Sequence, residues 1–281
     1  MNHNIMEGTM VEMTWCQVDE FAKKNAVVLL PVGVIEEHGR HLPLGTDIYL
    51  AVIQAKGVAE ELNKNGVPCI IAPPFYWGGI GALSKVFPGS FPCKKETIKA
   101  VLTDLLEGLE QAGFRQVITM NDHGDPDHRI AITEAFCEYN KHHKLCAKWM
   151  TFEDDMKYEG FTGEEDYILA LRPYPLERFI QSNAPEKDQF DIHAGAFETA
   201  FMRDTYLELT DMEIAKKLQP TMFQGEEIKK WQSGEEKYKS IMPDGHVGDP
   251  AFSIRMKTNP DDFNKVVAGQ IAEHYQAKMN V

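Results

Sequence analysis

Apolar positions along this 281-residue chain fall into alternating short runs and helical stripes. Residues 26–34 (AVVLLPVGV) are a continuous apolar run rich in β-branched residues, with a lysine pair before it and a charged cluster after it. Such a run predicts a strand buried on both faces. Residues 47–63 then place Ile48, Ala51, Val52, Ala55, Val58 and Leu62 at helical spacing, and Asn65-Gly66 supplies a C-cap. A second strand is expected over 69–72, closed by Pro73-Pro74. A second helix follows over 94–112, with its stripe at Ile98, Val101, Leu102, Leu105, Leu106 and Leu109 and its stop at Gly113. Residues 116–120 (QVITM) predict a third strand, 129–141 a helix and 145–150 a fourth strand. This alternation implies βαβ units, hence an α/β fold with a mostly parallel sheet and helices on both faces.

Three other segments lack that regularity. Residues 75–92 mix glycine with aromatics and proline, a loop long enough to suggest function. The acidic stretch 153–166 is expected as a solvated surface segment. Residues 191–202 hold a second cluster of charge and histidine, 241–250 (IMPDGHVGDP) predict a tight-turn loop, and 260–279 an amphipathic closing helix.

Charge narrows the possible partners. The formal net charge is -14, which opposes a sequence-independent grip on nucleic acid, where lysine and arginine must neutralise phosphates. The five cysteines are scattered without a CxxC pair, the pattern of reduced thiols rather than a disulfide framework. No apolar run approaches the roughly 20 residues that span a bilayer. The first fifteen residues lack a basic segment followed by an apolar one. The expectation is a cytoplasmic protein with no membrane or nucleic-acid partner.

Candidate chemistry lies where the strands end. Glu36, His38 and Asp47 follow the first strand, and His123 and Asp125 follow the third. In open parallel sheets ligands bind outside the carboxyl ends of the strands, so these groups are expected to converge. Glu36 and His38 are two apart and share one side of an extended backbone. Imidazole with carboxylate suits zinc, manganese or iron rather than calcium. There are more such groups than one ion needs, which favours a pair of metals sharing a carboxylate. Glu37 is expected as a surface charge and Arg40 as a rim or partner contact. His41 fits equally a direct role or one holding a carboxylate. His142 and His143 are expected to complement the C-terminal dipole of their helix, and His128 is left open.

The stretch LPVGVIEEHGRHLPLGTD, with MNDHGD, HAGAFET at residues 193–199, FPGS and HVGDP, resembles the creatininase family of metal-dependent amidohydrolases, in order from about residue 28 to 250. The resemblance implies a single domain over 1–281 with a three-layer αβα sandwich and a dinuclear centre. Glu36, Asp47 and His123 would bind one metal and His38, Asp47 and Glu198 the other, with Asp47 bridging. His193 is similar to the family histidine that donates a proton to the leaving group. A homo-oligomer, hexamer or related, is implied as well. The chain departs from the family pattern at several points. Asp122 stands in NDHGD where many relatives read NGHGGN. Asp125 replaces a glutamate of creatininase and would serve as base or ligand. Leu83-Ser84 replace a Glu-His pair ahead of FPG, and Arg40 stands where proline is common.

The expected activity is hydrolysis of a small cyclic substrate, foremost a cyclic amide, by a metal-bridging hydroxide attacking a carbonyl. Asp125 would take the proton of water and His193 would return it. Phe75, Tyr76, Trp77 and Phe87 would wall the pocket or pack the loop. Arg40, Trp77 and Asp122 are the candidate substrate contacts, the two charged groups suiting a polyhydroxylated or anionic ligand. The alternative is C–C hydrolysis of a cyclic polyol ketone, such as an inositol-derived diketone. A metal-binding subunit without catalysis is the reading from another class. Gly78, Gly79 and Gly81 do not follow the GxGxxG spacing of a dinucleotide-binding turn.

Overall fold

The computed structural model describes residues 3–81, 86–175, 178, 180–182, 191–221, 227, 231 and 238–279. Five strands form one parallel sheet: β1 (Val27–Val32), β2 (Cys69–Ile71), β3 (Gln116–Asn121), β4 (Cys146–Phe152) and β5 (Ile168–Leu171), in the order β2-β1-β3-β4-β5. β1 is an interior strand, second in that order, and pairs with β3 over its whole length, from Val27 opposite Gln116 to Val32 opposite Asn121. Two further strands, β6 (Ile180–Ser182) and β7 (Met256–Thr258), pair antiparallel apart from it.

Side chains of a strand alternate between faces, and β1 feeds two cores accordingly. Val27 and Leu29 pack with α2 (Thr46–Lys64), α6 (Ala196–Thr205) and the closing helix α7 (Pro260–Met279). Val28, Leu30 and Val32 pack with α3 (Lys95–Gln111) and α4 (Pro126–Asn140), and α1 (Trp15–Lys23) adds Val18 and Phe21 at that face. The sandwich is therefore three-layered, α/β/α, as expected. Within one outer layer α2 and α7 approach closely because Gly57 has no side chain. A Cβ there would sit 1.9 Å from Asn264 Nδ2.

The structure moves some expected boundaries and adds elements. α4 begins at Pro126 rather than at 129, because Asp125 caps it and proline fills the first helical position. The acidic stretch lies at the surface along its length, as expected, and is partly helical. Residues Glu153–Glu159 form α5, and Gly160 ends it in the left-handed region at φ 86°. Met156 of this helix packs into the second core. Leu83-Ser84 lie outside the described residues. No helix among the described residues is long and apolar enough to cross a membrane.

His143 does not serve the helix dipole as expected. Its Nδ1 donates to Glu110 at the end of α3 over 2.7 Å, and its ring stacks on Tyr139 at 3.8 Å. The Glu110 carboxylate also accepts from Tyr139 Oη (2.9 Å) and from the N–H groups of Lys144 (2.7 Å) and Leu145 (3.2 Å). Burial opposes its charge, but His143 and these donors hold it down at about 2. A carboxylate lowered this way contributes stability that is present above its ordinary 4.5 and is lost as the pH falls toward 2. Glu110→Gln should therefore cost about 1–3 kcal/mol at pH 7. In urea titrations the gap between the two proteins should close between pH 5 and pH 2; an unchanged gap at the acid end would show that the charge is not what matters.

Candidate metal centre

In this sheet order the chain reverses direction between β1 and β3, and the crevice there is where such folds bind ligands. Glu36 and His38 leave the end of β1, His123 leaves the end of β3, and Asp47 opens α2 directly above them. α2 can come this close because residue 33 is glycine. A Cβ there would lie 2.8 Å from Ile48 N and 3.0 Å from Asp47 Cβ. Glu198 arrives on the second residue past the start of α6.

Three donor groups lie close enough to hold a cation: Glu36, Asp47 and His123; His38, Asp47 and Glu198; and Glu36, His38 and His193. The first two share Asp47. His38 Nε2 is 2.9 Å from Asp47 Oδ1 and 3.9 Å from Glu198 Oε2. His123 Nδ1 is 3.0 Å from Asp47 Oδ2 and 3.2 Å from Glu36 Oε1. Glu36, His38, Asp47 and His123 are buried, and Glu198 is half-buried.

The far nitrogens decide what the near ones can do. His38 Nδ1 donates to the Glu36 carbonyl at 3.1 Å, and His123 Nε2 donates to the Gly79 carbonyl at 3.0 Å. Each ring thus spends one N–H on backbone and turns its other nitrogen toward carboxylate oxygens, an arrangement that needs a proton or a metal ion between them. Burial works against charge on the rings, yet Asp47, Glu198 and Glu36 push His38 up to about 10. His123, beside Glu36 and Asp47, is likewise raised well above its usual value. Asp47 is held far below the carboxylate range by the two rings, against its burial. The donor set of imidazole nitrogens and carboxylates fits zinc, manganese or iron.

His193 closes the chamber, whose volume is about 60 Å³. Its Nε2 donates to the Glu37 carbonyl at 2.8 Å, and its Nδ1 faces Glu36 Oε1 at 3.8 Å. Burial and the neighbouring His38 disfavour a charged ring, but the Glu37 and Glu36 carboxylates outweigh them and raise it. Glu37, expected as a surface charge, is 5% exposed. Its Oε1 lies 3.6 Å from His193 Nε2 and its Oε2 accepts from Gly39 N–H. The carboxylate is seated against Gly245, where a Cβ would meet it at 2.3 Å. Alternation along EEH could not reveal this, because the fit depends on a glycine over 200 residues later.

The loops that carried the recognisable sequence are clamps. Ser90 of FPGS accepts from Glu37 N–H at 3.1 Å, and Phe91 N–H donates to the Ile35 carbonyl. Val247 of HVGDP exchanges backbone bonds with His193. Gly78 and Gly79 press against His128, whose burial and proximity to His123 hold it neutral, and so bring the Gly79 carbonyl to His123. His41 is not a donor to the centre. Its Nε2 donates to Thr199 Oγ1 at 2.8 Å, beside Glu198, and burial lowers it to about 3.

Other expected residues fall differently. Asp125 lines the chamber, but it is the N-cap of α4. Its Oδ1 accepts from Asp127 N–H and its Oδ2 from Gly81 N–H, both at 2.8 Å. Asp122 also lines the chamber; burial and Asp47 push it up to about 8. Arg40 is exposed and paired with Asp244 at 3.2 Å, and Trp77 is 46% exposed beside Tyr76, so neither reaches the chamber. Phe75 belongs to the core. Trp231 is the aromatic wall instead, 6.2 Å from His193, with Phe87 packed near it. No spacing signal marks Trp231.

Gly33→Ala should push Asp47 away from both histidines while leaving the sheet intact. The overpacking should cost about 1–3 kcal/mol. Metal content measured by emission should fall well below that of the unaltered protein; retention of full metal would mean that α2 can shift without moving Asp47.

A family model for creatininase, described as creatinine amidohydrolase, matches residues 11–259. The 3-dehydro-scyllo-inosose hydrolase of Thermotoga maritima is 28% identical over 176 residues, 57% of this chain and 55% of its own length. The chain thus matches little more than half of that relative. The creatinine amidohydrolase of Pseudomonas putida is 25% identical over 220 residues, 75% of this chain and 77% of its own. A crystal structure of creatinine amidohydrolase superposes with a TM-score of 0.67 at 21% identity, covering 96% of this chain and 97% of that one. A manganese form of creatininase gives 0.64 at 19% identity, over 96% and 98%. Matched over most of its length by the family model, with a parallel sheet and helices on both faces as in those structures, the chain belongs to the creatininase family of hydrolases.

Proposed function

We propose that the protein is a dinuclear metal-dependent hydrolase that opens a small cyclic substrate at a carbonyl, foremost a cyclic amide. The observation that carries this reading is the pair of donor triads sharing Asp47, each with a histidine whose far nitrogen is already bonded to backbone. Glu36, Asp47 and His123 would hold one ion and His38, Asp47 and Glu198 the other. Solved creatininases include manganese and Zn–Zn forms, which supports either metal here. Two such ions, when bound, supply an activated water and polarise a carbonyl.

The chain's own residues do the rest. His193 turns Nδ1 into the chamber because Nε2–H is bonded to Glu37, so the proton it can deliver to a leaving nitrogen or carbon sits on Nδ1. Glu37 orients that ring and favours its charged form. Asp125 is assigned to holding the Gly81 loop on the start of α4 rather than to the base role. Ile192 and Trp231 exclude water from one side of the chamber. C–C hydrolysis of a cyclic polyol ketone is the second reading, favoured by the inosose hydrolase relative.

The test is metal content of protein purified without chelators, with turnover of a panel containing creatinine, other cyclic amides and cyclic polyol ketones. About two equivalents per chain, and activity lost on chelation and restored by zinc or manganese, is the expected result. Asp47→Ala should lose both metal and turnover. Full metal content in that variant would refute the shared carboxylate, and an inactive, metal-free protein that no ion rescues would refute the enzyme.

A further inference from the structure

His193 and Glu198 both line the metal chamber, yet different contacts hold them. His193 exchanges backbone bonds with Val247. Glu198 rides on the first turn of α6, and its Oε2 accepts from Ala194 N–H at 2.6 Å. That bond is made with Ala194 in the left-handed region at φ 49°, where alanine is disfavoured. The turn that aims Glu198 therefore has to be held in place by other contacts.

Asp191 holds it without lining the chamber. Gly195, at the N-cap of α6, has no side chain to satisfy the first N–H groups of the helix. The Asp191 carboxyl group reaches forward and takes over that task. Its Oδ2 accepts from Phe197 N–H at 2.6 Å, and Ala196 N–H donates to the same group. Two glycines admit it: a Cβ on Gly195 would lie 1.5 Å from Asp191 Oδ1, and one on Gly248 would lie 2.6 Å from the same atom. The helix does not depend on this carboxyl group alone, because Thr199 N–H closes the first turn on the Gly195 carbonyl at 3.1 Å. What depends on Asp191 is how that turn joins the residues before it.

We propose that Asp191 is a positioning residue for the metal centre. It ties the start of α6 back across residues 192–195, holds Ala194 in its strained conformation, and so keeps Glu198 on the ion shared with His38 and Asp47. The inference rests on the two-ion reading proposed above. The triad of Glu36, Asp47 and His123 takes nothing from α6, so the two ions differ in their dependence on Asp191. That difference separates positioning from a general loss of structure.

The test withdraws zinc from the loaded protein with graded concentrations of a chelator and counts the remaining ions by emission. The unaltered protein should hold two equivalents. Asp191→Ala should keep one at its original affinity and bind the other at least tenfold more weakly, ~1.4 kcal/mol. Asp191→Asn retains an oxygen acceptor and should keep both. Adding Ala194→Gly to Asp191→Ala should recover most of the lost affinity, because glycine adopts a positive φ without strain. Gly195→Ala displaces the carboxyl group while leaving Asp191 in the chain; it should reproduce the Asp191→Ala result, and it replaces that variant should the latter fail to fold. Unchanged affinity for both ions, equal weakening of both, or a loss that neither Asp191→Asn nor Ala194→Gly repairs would overturn the proposal. A single ion in the unaltered protein would sink the two-ion reading and this inference together. Two ions that depend on Asp191 as expected, without turnover of any compound in the substrate panel, would sink the proposed hydrolase alone.

Discussion

The structure depends on one unfavourable concentration of charge: Glu36, Asp47 and Glu198 gathered with three histidines in a space almost closed to water. Buried carboxylates repel one another and lose hydration, so the cluster exists only where positive charge is supplied inside it. Protons on His38 and His123 can supply it, but those rings have committed their other N–H groups to the Glu36 and Gly79 carbonyls. With those inward protons displaced, what is directed inward is lone pairs and negative oxygens, the complement of divalent cations. Metal binding would release protons from these rings and add its free energy to folding.

Much of the architecture can be read as support for that cluster. Gly33 admits the start of α2, the glycine pair 78–79 admits a carbonyl against His123, and Gly245 admits the Glu37 carboxylate behind His193. Each is a place where the backbone must approach closely, and none touches the reacting space. Even Ala194, beside His193, holds φ at 49°, and its N–H donates to Glu198 Oε2 at 2.6 Å. The left-handed conformation disfavours alanine by about 1–2 kcal/mol. The contact that orients Glu198 comes with that cost.

How much of this was legible in the sequence varies with the range of the interaction. The central strands and helices were readable because continuous apolar runs and helical stripes are local signals, and ridge residues such as Ile98, Leu102 and Leu106 are buried as their spacing requires. The convergence of Glu36, His38, Asp47 and His123 was readable because strand ends are where a parallel sheet gathers ligands, whereas Glu198, on a helix, was not marked by that rule. Burial of Glu37 was not, since it depends on Ser90 and Gly245, far along the chain. Nor was the pairing of His143 with Glu110, which crosses from the loop after α4 to the end of α3. Trp77 and Arg40 carried the composition of a pocket but sit on the rim, whereas Trp231 carried no signal and lines the chamber.

That division also separates reaction from substrate. The groups that would hold metal and proton are fixed by backbone carbonyls and by glycines, contacts that tolerate no side-chain exchange, so the class of chemistry is built into the frame. The walls of the cavity of about 460 Å³ beyond Asp122 are side chains alone: carboxylates, aromatic rings and an amide whose orientation one bond determines. Such surfaces can be exchanged one residue at a time without disturbing His123 or Asp47. Relatives named for such different substrates as a creatinine and an inosose are what this arrangement permits. The substrate of this chain is therefore to be sought in the wall chemistry rather than in the donors.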